Sequence, residues 1–139
     1  MISPKNFILI LIATIAVSLV ILVNPSPEND SDFSHFTFDA VYMEDKNSIL
    51  ITFADTTGKS SFAILEILGM ETTYHTEFEI VNSEFSKTVP IEKIPKYGWK
   101  TTPVTLEIMY GDTIVKMKTE IHEEGNPSPE IIFSSSSSN

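Results

Sequence analysis

Imidazole serves as base, acid or metal ligand near neutral pH, so the residues best suited by type to do chemistry are His35, His75 and His122. No two of them stand two apart, the spacing that would set a pair of ligands on one face of a strand. In an extended segment His75 shares a face with Glu77 and Glu79, an arrangement that could touch a surface metal. A structural or catalytic centre needs three or four converging ligands, so the pattern reads as a solvated histidine on an acidic strand face. Met43, Met70, Met109 and Met117 show no His-x-Met or Met-x-x-His spacing, which assigns them to packing and not to copper. Asp30-Ser31-Asp32 begins like a calcium loop but lacks the later Gly and the closing Glu. Glu44-Asp45, Asp55 and Asp112 fall in turns and would hold calcium only if they gathered at one end of the fold. The chain has no Cys, hence no thiolate nucleophile and no iron–sulfur cluster. It also has no Gly-x-Ser-x-Gly elbow, no His-Glu-x-x-His and no glycine-rich phosphate loop. The expectation is a protein that is not an enzyme and carries no metal and no cofactor.

Charge narrows the partners. Nine Lys, no Arg and nineteen acids leave a formal net charge of −10. Nucleic-acid binding draws on a basic stripe that displaces counterions, and guanine is read chiefly by arginine; nucleic acid is therefore not expected. The most basic spot lies around Tyr97 and Trp99, with Lys96 and Lys100 beside them in a Pro- and Gly-containing segment. Aromatic anchors carry interface energy and flat rings stack on sugars, which makes these four residues the candidate binding site. The competing account has both rings folding down to plug the end of a small core.

The elements that must position this segment follow from a period of two, the strand period. Phe36, Phe38, Ala40 and Tyr42 alternate with polar or smaller residues, and Ile49, Ile51 and Phe53 follow after a Glu44-Asp45-Lys46-Asn47 turn. Tyr74, Thr76, Phe78 and Ile80 alternate with His75, Glu77 and Glu79. Phe85, Lys87, Val89 and Ile91 share a face that Lys87 interrupts. Val104 to Tyr110 and Val115 to Ile121 alternate in the same way, joined through Gly111-Asp112, a two-residue connection that tolerates positive φ. Phe62 to Leu68 is a continuous apolar run, a central strand or a short buried helix, and its flanking strands favour strand. Seven such segments predict an all-β, antiparallel, seven-stranded sandwich over residues 36–122.

Ahead of the sandwich, Phe7–Val23 contains no charge and is apolar all round. Its length is at the short end of what crosses a bilayer. An uncleaved transmembrane anchor is favoured over a cleaved signal, because Asn24-Pro25-Ser26-Pro27-Glu28 offers no Ala-x-Ala-like site. Lys5 precedes it and no Lys or Arg follows until Lys46, so the positive-inside rule leaves residues 1–6 as a cytoplasmic tip and the rest of the chain extracytoplasmic. Residues 24–35 read as a Pro/Ser/acidic stalk, where Asn29-Asp30-Ser31 is an N-glycosylation acceptor pattern. The pentapeptide of residues 24–28 recurs at 126–130, which reads as two linkers bracketing one domain. Residues 123–139 are expected to form a disordered Ser-rich tail, with Ile131-Ile132-Phe133 open to reading as a docking segment or an extra edge strand.

The closing hairpin, Val104-Thr105-Leu106-Glu107-Ile108-Met109-Tyr110-Gly111-Asp112-Thr113-Ile114-Val115, resembles that of Ig-like domains in membrane-anchored archaeal cell-surface proteins, and Tyr97-Gly98-Trp99 fits the loop that leads into it. The resemblance covers roughly residues 90–121. It implies an Ig-like or fibronectin III-like sandwich engaged in adhesion, display or envelope scaffolding, and brings no catalytic motif. The sequence as a whole is that of a single-pass cell-membrane protein holding out a module for contact with an envelope protein or glycan. An archaellum stator or pilus-associated structural subunit is the alternative: such proteins also join one apolar helix to a β-sandwich, although Pro25 and Pro27 stop this helix earlier than a pilin's.

Overall fold

Each alternating segment of the sequence becomes a strand. A computed structural model describes residues 32–138. Residues 1–31, which include the tip, the apolar stretch expected to span a membrane and the stalk with Asn29, lie outside the described residues, as does Asn139. Among the described residues no helix is long and apolar enough to cross a membrane.

The strands are β1 (Phe36–Met43), β2 (Ser48–Asp55), β3 (Ser60–Ile67), β4 (Tyr74–Glu79), β5 (Glu84–Pro90), β6 (Pro103–Tyr110), β7 (Thr113–Glu120), β8 (His122–Glu123) and β9 (Ile132–Ser137). They form two sheets, one ordered β5-β2-β1-β8 and the other β4-β3-β6-β7-β9. The apolar run at Phe62 resolves as strand β3, at the interior of the larger sheet. Inward residues of both sheets, among them Ile49, Ile51, Leu65, Leu106, Ile108 and Met117, are almost wholly removed from solvent and make one core. Lys87 does face inward at the sheet edge, where its Nζ lies 4.3 Å from the centre of the Phe78 ring. Its ammonium thus covers this flank of the core through a cation–π contact.

Three expectations are corrected. The described chain has nine strands and not seven, and one pairing, β1 with β8, is parallel. The stretch 123–139 is not a disordered tail throughout, since Ile132–Ser137 pairs antiparallel with Thr113–Lys118 as an edge strand. Serine has little strand preference of its own. Here Phe133 supplies the anchor, stacking on Phe33 at 4.7 Å and 5° and packing near Phe36, and ladder hydrogen bonds to β7 hold the serines that follow. Phe33, counted with the stalk by composition, thereby belongs to the folded unit.

The register assigns every loop to an end. Phe36 pairs with Asp55 and Met43 with Ser48, which in turn pairs with Pro90. The chain therefore enters β1 at the end that carries the β2–β3, β4–β5 and β6–β7 turns. The opposite end carries the β1–β2 turn and the β3–β4 and β5–β6 loops, the last of which contains Tyr97 and Trp99.

Candidate functional site

The β5–β6 loop runs from Ile91 to Thr102 and is stapled to the fold at both of its ends. At the first, Asn47 adopts φ 47° to close the β1–β2 turn. Its side-chain amide donates to the Ile91 carbonyl at 2.7 Å and its own carbonyl accepts the Ile91 N–H at 3.0 Å. The Tyr42 hydroxyl donates to Asn47 Oδ1 at 3.3 Å. At the second, Trp99 opens a single 3₁₀ turn, Trp99–Thr101, and its ring lies 4.7 Å from that of Tyr42. A third constraint comes from Gly69 in the β3–β4 loop. Its φ is +80°, and a Cβ there would overlap the Thr101 carbonyl oxygen, so only glycine lets the two loops close on each other.

These constraints separate the four candidate residues. Trp99 is half-buried against Tyr42 and the core, as the plugging account has it. Tyr97 is 76% exposed, with the Lys96 ammonium 5.4 Å from its ring centre. Lys100 turns away to a different depression, beside Lys118 and Glu130. The structure therefore brings Lys96 and Tyr97 together and removes Trp99 and Lys100 from them.

Beside Tyr97 the β3–β4 and β5–β6 loops enclose an open groove of about 780 Å³. Met70 and Tyr74, both packed on the core, belong to its lining, and Ile94, 59% exposed, stands at its edge. Glu71 and Lys93 bridge the two loops at 3.4 Å. A groove of mixed apolar and polar lining with an aromatic wall suits a sugar ring or an extended peptide, whose flat or aliphatic faces stack while polar groups meet the charged and hydroxyl side chains. Met70, Tyr74 and Ile94 could not be singled out by sequence, because their convergence depends on the packing of two loops separated by β4 and β5.

His75, His122 and Asp55 are each hydrogen-bonded within the fold. His75 places Nδ1 2.7 Å from Glu66 and Nε2 3.2 Å from Glu77, so its partner across the strand is Glu66 and not Glu79. Hydrogen bonds to Glu66 first and Glu77 second raise its pKa above the ordinary histidine value. His122 lies between Asp39 Oδ1 at 2.8 Å and the Glu123 carbonyl at 3.1 Å. Asp55 is a residue whose role sequence reasoning missed. Its carboxylate, in a side chain 5% exposed, accepts the N–H and hydroxyl of Thr57, the N–H of Lys59, and the N–H and hydroxyl of Ser60, all between 2.6 and 3.0 Å. Burial pushes its pKa up, but the hydrogen bonds from Thr57 and Ser60 outweigh that and hold it at about 2. Asp55 and Asp112 lie at one end of the sandwich and Glu44-Asp45 at the other, so the turn acids do not gather. Among the described residues no group of three or more His, Asp or Glu is arranged to hold a metal ion.

Compared with protein-family models, with curated proteins and with solved structures, the chain matches none.

Proposed function

We propose that the protein is a membrane-anchored, extracytoplasmic Ig-like module of the fibronectin III-like kind, whose task is contact with an envelope protein or glycan. The order β5-β2-β1 facing β4-β3-β6-β7, which is that of fibronectin type III domains, supports the finer fold. The apolar, uncharged stretch Phe7–Val23 supports the anchor. The observation that carries the reading is the display of Tyr97 beside an open groove at the end of the sandwich opposite the point where the chain enters. A tether at one end and a contact surface at the other is the layout of a module that reaches away from a membrane, where confinement raises the effective concentration of weak binders.

Two measurements on the full-length chain test it. Protease treatment of intact cells is expected to remove residues 32–138 and spare the N-terminal tip; complete protection of the sandwich would refute the outward topology. Capture of envelope glycans and proteins by wild type and by Tyr97→Ala tests the loop, with Tyr97 chosen because Trp99 is occupied in the core. Loss of a central aromatic anchor is expected to weaken binding by about thirtyfold, the equivalent of about 2 kcal/mol. Equal capture by both chains would refute the assignment of the contact to this loop.

A further inference from the structure

The flank of the larger sheet that ends in β9 differs from the other edges of the sandwich. An unpaired edge strand is a template for strand addition, and folded proteins guard it with charge, proline or shortness. β4 carries His75, Glu77 and Glu79, β5 carries Lys87 and ends at Pro90, and β8 is two residues long. β9 has six residues with neither charge nor proline. Its four serines are exposed, and within the described residues their hydroxyls make no hydrogen bond, whereas that of Ser138 donates to the Asp112 carbonyl at 2.8 Å. The outer face beside this edge is apolar. Ala63, Ile108 and Val115 are buried, so their neighbours Phe62, Met109 and Ile114 point outward. Register sets Ser136 opposite Ile114, Ile114 beside Met109 and Met109 beside Phe62. None of these three hydrophobes is among the residues packed against the core, and Met109 is 43% exposed.

We propose that Ser136 is the acceptor of an O-linked glycan whose first sugars lie across Ile114 and Met109. A hydrated sugar chain on β9 blocks the approach of another strand, as charge does on β4. The C–H face of a pyranose ring is apolar, so the same chain removes Ile114 and Met109 from water. A strand added to β9 would satisfy the edge and leave that row exposed. Strands about 4.8 Å apart put Ile114 about 5 Å and Met109 about 10 Å from Ser136, within the span of a disaccharide. Register selects Ser136 over its neighbours. Ser134 stands opposite Lys116, whose ammonium is paired with Glu107 at 3.3 Å, so a sugar there would meet a hydrated ion pair. Ser135 and Ser137 pair with Val115 and Thr113, on the side that faces the smaller sheet. The segment ahead of β9, Asn126-Pro127-Ser128-Pro129-Glu130, adds the Pro and Ser composition of O-glycosylated stalks. In the transfer, the Ser136 hydroxyl oxygen attacks the anomeric carbon of a sugar carried on a nucleotide or lipid phosphate. A glycosidic C–O bond forms and the C–O bond to phosphate breaks. The phosphate leaves with the electron pair, and the serine proton passes to a base of the transferring enzyme.

The test uses the full-length chain isolated from the cells that make it. Cleavage after Lys118 releases one peptide, Thr119–Asn139, that holds the whole of β9. Its mass is expected to exceed that of the bare peptide by whole sugar residues, and fragmentation to place them on Ser136. Ser136→Ala should abolish the increment and Ser134→Ala should keep it. Peroxide gives a second readout, because a covered methionine resists conversion to the sulfoxide. Met109 should oxidise several-fold more slowly in the glycosylated chain than in Ser136→Ala, while Met70, in the groove at Tyr97, oxidises alike in both. An unmodified peptide, phosphate in place of sugar, attachment to another serine, or equal oxidation of Met109 in the two chains would overturn the proposal. These outcomes do not depend on the contact assigned to the β5–β6 loop. Tyr97→Ala is expected to carry the same glycan whether or not it loses capture of a partner.

Discussion

Replacing Asp55 by Asn tests how the β2–β3 turn is held together. The carboxylate accepts five hydrogen bonds, two at Oδ1 and three at Oδ2. An amide keeps one acceptor oxygen and aims an NH₂ at the other donors. The hydroxyls of Thr57 and Ser60 can rotate, but the backbone N–H groups cannot. If the amide nitrogen takes the Oδ1 place the Thr57 N–H is orphaned, and in the Oδ2 place those of Lys59 and Ser60 are. With buried orphaned donors costing about 1–3 kcal/mol each, Asp55→Asn should lose about 2–4 kcal/mol at pH 7. The pH dependence is the sharper signature. A carboxyl held at about 2, against an ordinary 3.8, is depressed on folding. Its ionisation therefore stabilises the protein fully above the unfolded value and less and less as pH falls toward 2. The shift corresponds to about 2 kcal/mol at pH 7 and to less than about 1 kcal/mol at pH 2.5. The difference between wild type and variant should accordingly shrink by about 1.5 kcal/mol between those two conditions. Denaturant unfolding followed through the single Trp, which is seated on Tyr42, measures both values in one protein. Other acids titrate alike in the two chains and cancel. An identical difference at both pH values would refute the idea that the charge, and not the shape, of Asp55 holds the turn.

Three further outcomes follow from the geometry. Gly69→Ala should destabilise by about 2–4 kcal/mol, because a Cβ at φ +80° meets the Thr101 carbonyl; a melting temperature within a degree or two of wild type would contradict the close approach of the loops. Phe133→Ala should release β9, costing about 2 kcal/mol and accelerating amide exchange along Thr113–Lys118 while leaving β3 protected; equal acceleration in both strands would mean that β9 is integral to the core. His75 should titrate above the ordinary histidine value by NMR, and Glu66→Gln should bring it down. Since the folded value is raised, any stabilisation is complete below the unfolded value and fades as pH rises through the folded one. A titration curve unmoved by Glu66→Gln would remove that carboxylate as the cause.

What could be read in advance divides along physical lines. Strands such as β4 and β6 declare themselves because a half-buried strand repeats every two residues, and the Gly111-Asp112 turn because its first residue takes φ 57°. The β9 strand was half legible. Ile131-Ile132-Phe133 was open to reading as an extra edge strand, but the serines that continue it carry no periodic apolar signal, and its place depends on one phenylalanine meeting Phe33, a hundred residues away in sequence. The two-residue β8 is too short for any period to show. At the candidate site, the loop was legible as the most basic and aromatic spot of an acidic chain. Which ring faces out was not, since Trp99 and Tyr97 differ only in how the 3₁₀ turn and Tyr42 receive them. The role of Asp55 was hidden for a related reason: five donors converging on one carboxylate is a property of turn geometry, and its residues look like any polar turn.

The placement of β1 has a mechanical consequence. The chain arrives at Phe36, whereas the loop bearing Tyr97 lies at the far end, so tension between the two runs along the strands. β1 is gripped along its whole length by β2, from Phe36 against Asp55 to Met43 against Ser48, and on its other side by β8 through Val41 and Tyr42. Ladder hydrogen bonds lie across the strands, so a lengthwise pull loads all of them together in shear and does not peel them one at a time. The short parallel pairing to β8 fastens β1 at the end away from the pull. A strand set this way resists extraction by a lengthwise pull.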